Sequence, residues 1–200
     1  LVVHDWGSAL GFHYARRYEA NVAGVAFMEA LVRPVTWEEW PHRVRSLFQQ
    51  FRTPGVGWDL IVNRNLFVEE VLPGAIQRTL CQEEMDRYRE PFLLAASRKP
   101  VWRWPNEIPI NGEPAKMVEL VRSYSEWLER STVPKLLLYA QPGALVRGAM
   151  VGWCRQHIRA LHTKDIGPGL HFVQEDQPHR IGQALREWYG GLVPLPVEAE

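Results

Sequence analysis

The sequence predicts an α/β fold in which a mostly parallel sheet with flanking helices is interrupted by a helical insertion. The first observation is a strand–helix–strand pattern at the start of the chain, because such a unit builds a parallel sheet. The second is the distribution of apolar runs, since residues 34–130 are mostly helix-like before a buried strand returns. The third is the hydrophobic fraction of 46%, which is that of an ordinary globular chain.

The strand–helix–strand pattern occupies residues 1–28. It consists of an apolar strand at residues 1–4, a helix at residues 8–17 and a second apolar strand at residues 22–28. The second strand is apolar on both faces, which is typical of strands buried inside parallel sheets. We expect a right-handed connection between the strands, because nearly all crossovers between parallel strands have that hand.

The insertion is predicted to form a helical cap over residues 31–132, between core parts at residues 1–30 and 133–192. Its candidate helices are residues 37–52, 66–71, 82–92 and 115–130. Prolines punctuate these stretches, and Pro41 suits an early turn of the first helix.

The second core part is predicted to hold the remaining strands and a closing helix. Its candidate elements are a buried strand at residues 135–140, a short polar strand at 163–166 and an amphipathic helix at 181–188. Residues 193–200 (VPLPVEAE) are predicted to be a disordered tail.

Composition excludes several classes of partner. The 23 basic and 23 acidic residues balance, so no basic excess exists to bind nucleic acid or an anionic membrane. No apolar run approaches the roughly 20 residues that cross a bilayer. Cys81 and Cys154 make no disulfide framework, so a reducing compartment, the cytoplasm, is expected.

Chemically active side chains recur where predicted strands end. Asp5, Glu29, the loop after Ala140 and His171 all lie at or just past such ends. Binding and catalytic sites of open α/β sheets form beyond the carboxyl ends of the strands. The sequence therefore predicts a site at this edge of the sheet.

Asp5 lies at the apex of a sharp strand-to-helix turn, in the stretch HDWGS. This position suits a nucleophile elbow, in which a carboxylate attacks an alkyl carbon and forms an ester. Gly7 would leave room for the tight strand–helix approach. Alternatively, Asp5 is only the N-cap of the following helix.

The chain order Asp5, Glu29, His171 is compatible with a catalytic triad. His171 would activate water against the ester, and Glu29 would orient His171. The alternatives are a surface loop histidine and a solvent-facing glutamate at a strand end. The loop after Ala140 carries no acid, which favours Glu29 as the third member.

Trp6 follows Asp5 and could hold a leaving anion through its indole N–H, or simply pack in the core. The aromatic-rich composition, with 9 Trp, indicates either an aromatic core or an apolar pocket. Five residues are candidates to line such a pocket, although each could equally belong to the core: Phe48, Phe67, Trp104, Pro105 and Leu145.

Several spaced motifs resemble those of the haloalkane dehalogenases. They are VVHDWGSALGFHYARR, the ME of AFMEA, YREPFL, PNEIPI, VPKLL with PGAL, and GPGLHFVQED. The resemblance implies an α/β-hydrolase fold with a helical cap, and hydrolysis of haloalkanes to alcohol, halide and proton. It also implies that no cofactor or metal takes part.

The resemblance further implies a role for each site residue. Asp5 would be the nucleophile, Glu29 the acid and His171 the base, as in the Asp-His-Glu subgroup, and Trp6 would bind halide. The implied pocket residues are Phe48, Phe67, Trp104, Pro105, Ile108, Leu145 and Phe172.

Other expectations also come from the resemblance. The chain is expected to be a fragment that lacks the N-terminal core with a second halide-binding donor, to be poorly stable alone, and to have the missing half as a partner. Three alternatives stay open: an epoxide hydrolase using Tyr88 or Tyr124, a luciferase-like relative, and a non-catalytic fragment or scaffold.

Overall fold

A parallel sheet forms the centre of the computed structural model, which describes residues 1–192. Within those residues the sheet has four strands in the order β1-β2-β3-β4, and every neighbouring pair is parallel. The strands are β1 (Val2–Asp5), β2 (Val25–Ala30), β3 (Lys135–Pro142) and β4 (Leu161–Gly169). The predicted tail at residues 193–200 lies outside the described residues.

The α-helices lie between and after these strands. They are α1 (Trp6–Arg17), α2 (His42–Phe51), α3 (Val56–Trp58), α4 (Leu72–Gly74), α5 (Gln82–Arg89), α6 (Lys99–Glu107), α7 (Ala115–Arg130), α8 (Gly148–His157), α9 (Val173–Asp176) and α10 (Pro178–Leu192). Short 3-10 segments occupy Glu19–Asn21, Glu90–Phe92 and Ala95–Arg98, and π segments occupy Asp59–Asn63 and Phe67–Val71. None of the helices in the described chain is long and apolar enough to span a membrane.

The chain forms two compact units. Of the described residues, the first contains 1–32 and 124–192, and the second contains Arg33–Ser123. Tyr124 is fully buried in the first unit, where its hydroxyl donates to the carbonyl of Leu31 at 2.5 Å. Its ring also packs against Phe12, with ring centres 5.5 Å apart. These contacts explain why the end of α7 belongs to the unit that carries the sheet.

The core of the first unit follows from the alternation of side chains along its strands. All six residues of β2 are buried, as its apolar run predicts. One face of the sheet packs on α10 through Ala26, Leu136, Leu138, Ile166 and Ile181, among others. On the other face Phe27 meets Phe12 of α1 edge to face at 5.3 Å.

Lys135 begins β3 and is fully buried. Its ammonium donates to the carbonyls of Ser131, Val133 and Arg159 at 2.8, 2.9 and 3.1 Å, and lies 5.2 Å from the Trp127 ring centre. Burial lowers the pKa of Lys135 to about 8. The side chain thus satisfies two carbonyls in the connection between α7 and β3 and one shortly before β4.

The second unit is mostly helical, and its core contains Phe51, Leu60 and Ile61. Its glycine at position 57 is required by close packing, because an added Cβ would lie 1.9 Å from the Phe51 carbonyl oxygen. The helix predicted from residue 37 begins only at His42, because Pro41 occupies the position before the first helical residue.

Besides the short helices α3, α4 and α9, the longer helices α6 and α8 were not among the elements predicted from the sequence. Helix α6 contains Pro105 and begins with Lys99–Pro100, a pattern that suggests a helix breaker. Pro100 is accommodated because a first-turn N–H has no partner within the helix. Helix α8 contains two glycines, which weakens its helical signal.

Candidate active site

Three side chains that are far apart in the sequence meet at the carboxyl ends of the strands in the first unit. His171 Nε2 lies 3.6 Å from Asp5 Oδ1, and His171 Nδ1 lies 3.2 Å from Glu29 Oε2. Asp5 ends β1, Glu29 lies near the end of β2, and His171 follows β4. The structure therefore brings together the three residues that the sequence predicts as a triad.

Asp5 occupies the turn between β1 and α1 in a rare backbone conformation. Its φ is 47°, which a non-glycine residue adopts only when the surrounding structure imposes it. Although Asp5 holds the N-cap position of α1, its side chain makes no capping hydrogen bond in the described chain. The simple cap interpretation is therefore not supported, and the carboxylate points to His171 instead.

Ser8 braces this turn and was not singled out from the sequence. Its buried hydroxyl donates to the Asp5 carbonyl at 2.5 Å and accepts from the backbone N–H of Leu31 at 2.9 Å. It therefore ties the first turn of α1 to the segment after β2. A serine in a first helical turn is too common to reveal this role from sequence.

The close strand–helix approach lies one turn later than predicted. An added Cβ at Gly7 would meet nothing within 4 Å in the described chain, whereas one at Gly11 would lie 2.7 Å from Val3 Cγ1. The expectation for Gly7 was wrong in this respect, because the side chain of Val3 in β1 lies against α1 at Gly11.

Glu29 is 1% exposed, so the solvent-facing alternative is excluded. Next to it the pairing of β1 with β2 skips one residue, because His4 pairs with Met28 and Asp5 with Ala30. Glu29 is thus the extra residue of a bulge, with a φ of 42°. The bulge changes the direction of the Glu29 side chain, so that it points toward His171 and not where regular strand alternation would place it.

The loop after β3 holds the Glu29 carboxylate through backbone amides. The N–H groups of Ala144, Leu145 and Val146 donate to its oxygens, the shortest at 2.7 Å from Leu145. Gly143, with a φ of 67°, turns the chain into this arrangement. The loop has no acidic side chain, but its backbone N–H groups bind the carboxylate of Glu29 from β2. Because these donors are backbone groups, the residue types of the loop could not predict the contact.

Contacts within the triad shift the pKa values of His171 and Asp5 in opposite directions. Burial disfavours a charge on His171, but hydrogen bonding and charge from Asp5 and Glu29 prevail and raise the pKa of His171 to about 10. Burial also opposes ionisation of Asp5, yet contacts with His171 and the Trp6 backbone N–H lower the pKa of Asp5. These shifts favour a protonated His171 beside an ionised Asp5.

The other candidate residues of the first unit lie close to this triad. Trp6 is buried and is the first residue of α1, directly after Asp5. Phe172 packs its ring edge to face on the His171 ring, with centres 4.9 Å apart. Leu145, half-buried, supplies one of the amides that bind Glu29.

The remaining candidate pocket residues belong to the second unit. Phe48 and Phe67 pack around Phe51, with ring centres 5.5 and 6.1 Å from it. Pro105 and Ile108 are buried, and their carbonyls accept from one Arg52 nitrogen. Trp104 is 44% exposed. Their role in lining a substrate pocket stays a prediction.

The chain is similar to known enzymes over nearly its whole length. The family model of the alpha/beta hydrolase fold matches residues 1–178. A haloalkane dehalogenase of Sphingobium indicum is 48% identical over 97% of this chain, and one of Mycolicibacterium smegmatis is 40% identical over 92%. The chain spans 65% and 59% of the length of these two relatives.

The chain is also similar in three dimensions to a solved haloalkane dehalogenase structure. The crystal structure of the haloalkane dehalogenase DbeA from Bradyrhizobium elkani is 43% identical to this chain, with a TM-score of 0.93. The match covers 96% of this chain and 67% of that one.

Proposed function

This chain belongs to the haloalkane dehalogenases of the α/β-hydrolase family, and from that premise we propose that it hydrolyses carbon–halogen bonds of haloalkanes. The products are an alcohol, a halide ion and a proton. The observation that carries the proposal is the linkage of Asp5 and Glu29 through the two nitrogens of His171.

In the first step, Asp5 is the nucleophile. One of its carboxylate oxygens forms a bond to the halogen-bearing carbon, and the halide leaves with the electron pair of the broken bond. The lowered pKa of Asp5 supports this role, because it keeps the carboxylate ionised. We assign Trp6 as the indole N–H donor for the departing halide.

In the second step, His171 is the base that activates water against the ester. A histidine with a pKa near 10 is protonated at neutral pH and is no base. Ester formation removes the charge of Asp5, which is one of the two groups that raise this pKa. We therefore expect the pKa of His171 to fall only after alkylation, so that Glu29 then orients a neutral imidazole toward water.

We propose that Leu145 and Phe172, the apolar candidates of the first unit, contact the alkyl part of a small halogenated hydrocarbon. For Phe48, Phe67, Trp104, Pro105 and Ile108 of the second unit, substrate contact stays a prediction from the resemblance. Halide and water are the remaining small partners.

The test is trapping of the covalent ester. The chain is incubated with 1-bromohexane, and bromide release and intact protein mass are measured. His171→Phe should form the hexyl ester but not hydrolyse it, so it gains the mass of one hexyl group. Asp5→Ala should gain none, and His179→Phe, which changes an exposed histidine of α10, should behave like the unaltered chain.

The same experiment separates the alternatives. Absence of both bromide release and a hexyl adduct would contradict the proposal and support a non-catalytic scaffold. Diol formation from an epoxide would identify an epoxide hydrolase, and light emission with an imidazopyrazinone a luciferase-like enzyme. The structure speaks against Tyr124 as an epoxide-protonating donor, because its buried hydroxyl already donates to Leu31.

A further inference from the structure

His4 contacts the base of the site although the proposed mechanism does not use it. It directly precedes Asp5 in β1, at a position that the elbow pattern G-x-S-x-G leaves variable. Its Nε2 lies 2.8 Å from the backbone carbonyl oxygen of His171. Its ring centre lies 4.8 Å from that of His171 and 6.0 Å from that of Phe172.

The chemistry of this contact defines the protonation of His4. A carbonyl oxygen only accepts, so Nε2 of His4 must carry the proton. Burial lowers the pKa of His4, and the positive charge of His171 lowers it further, so His4 stays neutral. A neutral imidazole has a single N–H, and here that N–H is committed to the backbone of His171.

The contact between His4 and His171 also joins β1 to the segment after β4, although these two strands are not neighbours in the sheet. In the described sheet β1 and β4 are separated by β2 and β3. His171 lies in the short connection between the end of β4 at Gly169 and the start of α9 at Val173. His4 therefore links the end of β1, where Asp5 lies, directly to the backbone that carries His171.

We propose that His4 is a positioning residue, whose hydrogen bond to the His171 carbonyl holds the His171 imidazole between Asp5 and Glu29. This inference rests on the proposed function for its kinetic consequence. The hydrolysis of the ester depends on where the imidazole stands, whereas the attack by Asp5 does not require a base. Loss of the hydrogen bond should therefore slow the second step more than the first.

The experiment compares two substitutions of His4. His4→Phe keeps a ring of similar size without the donor, and His4→Gln keeps an N–H donor at a similar reach. With 1-bromohexane, we expect ester hydrolysis in His4→Phe to slow by about 10-fold or more, so that the hexyl adduct accumulates, while the first-turnover release of bromide changes little. His4→Gln should recover most of the hydrolysis rate, and His179→Phe should match the unaltered chain.

A second measurement does not depend on activity. In chains labelled with 15N-histidine, the His171 ring is titrated by NMR. The titratable groups against this ring are Asp5, Glu29 and His4. If His4 positions the ring, the His171 pKa should fall toward its ordinary value in His4→Phe and remain high in His4→Gln.

The outcomes separate the two proposals. If the unaltered chain releases no bromide, the proposed function fails, and the NMR titration alone decides the role of His4. An unchanged His171 titration in His4→Phe would overturn the inference. Equal slowing of both chemical steps, without rescue by His4→Gln, would likewise show that His4 only supports the fold.

Discussion

Two residues of the site, Asp5 and Glu29, both have positive φ angles, of 47° and 42°. Such conformations cost roughly 1–3 kcal/mol each for residues other than glycine, and they persist where neighbouring contacts impose them. Ser8 supplies such contacts at Asp5, and three loop amides supply them at Glu29. These backbone conformations direct both carboxylates toward His171, away from the directions that regular strand geometry would give them.

At Glu29 we predict a large kinetic effect from a small change. Glu29→Gln removes the charge beside His171 and replaces one amide-bound oxygen with an NH2 group that cannot accept. The His171 pKa should fall, and ester hydrolysis should slow by about 10² to 10⁴-fold, the range typical of lost base catalysis. Rapid-quench measurement of ester decay tests this.

The matched control for that change is Glu129→Gln, on the exposed face of α7. It should leave ester decay unchanged. Hydrolysis by Glu29→Gln at the rate of the unaltered chain would show that Glu29 does not act through His171.

At the scale of elements, the site depends on how strands and loops end. The bulge in β2 leaves Glu29 without a pairing partner in β1, and backbone N–H groups of the loop after β3 bind its carboxylate. The conformation of that loop depends on Gly143. An added Cβ there would lie 3.1 Å from both Glu29 Oε1 and the Val146 carbonyl oxygen, at a φ of 67°.

We therefore predict that Gly143→Ala destabilises the chain by about 1–3 kcal/mol, since it combines left-handed strain with a tight contact. It should also slow ester hydrolysis, because the Glu29 carboxylate must move. Denaturant unfolding measures the first effect and ester decay the second.

Gly148→Ala provides the comparison for this element. Gly148 begins α8, and an added Cβ there meets nothing within 4 Å in the described chain. Alanine should be neutral or stabilising by up to about 1 kcal/mol. If Gly143→Ala and Gly148→Ala have equal free energies of unfolding, the backbone conformation and close contacts of Gly143 do not require a glycine there.

At the scale of the whole molecule, His171 connects the ends of β1 and β2 with the segment after β4. This link makes stability depend on pH. Because the folded-state pKa of His171 is raised from 6.5 to about 10, its contribution is complete below pH 6.5 and is lost as the pH rises toward 10. Asp5 behaves oppositely, since its pKa is lowered and its contribution is lost in acid.

We predict that His171→Phe lowers the free energy of unfolding most between about pH 5 and 6.5. The difference from the unaltered chain should shrink as the pH rises, with a slope of at most about 1.4 kcal/mol per pH unit. Denaturant unfolding of both chains from pH 5 to 10 tests this. His179→Phe, which changes an exposed histidine of α10, is the control, and a His171→Phe difference that does not vary with pH would contradict the prediction.

Much of the molecule could be predicted from its residues. The α/β-hydrolase fold and the dehalogenase resemblance are confirmed by the family model and by DbeA. The strand β2 and helix α7 follow from apolar runs and helical periodicity, which are local properties. The helices α6 and α8 escaped prediction because proline and glycine obscure that local signal.

The sequence by itself determined the candidate site residues Asp5, Glu29 and His171 and their order along the chain, because residue types and predicted strand ends can be read from it. Only the tertiary structure decided that His171 lies between Asp5 and Glu29, residues 166 and 142 positions away. It also decided that loop amides bind Glu29 and that His4 holds the His171 backbone. The physical reason is that these contacts use strand register, positive φ angles and backbone groups, none of which depends on the identity of a single side chain.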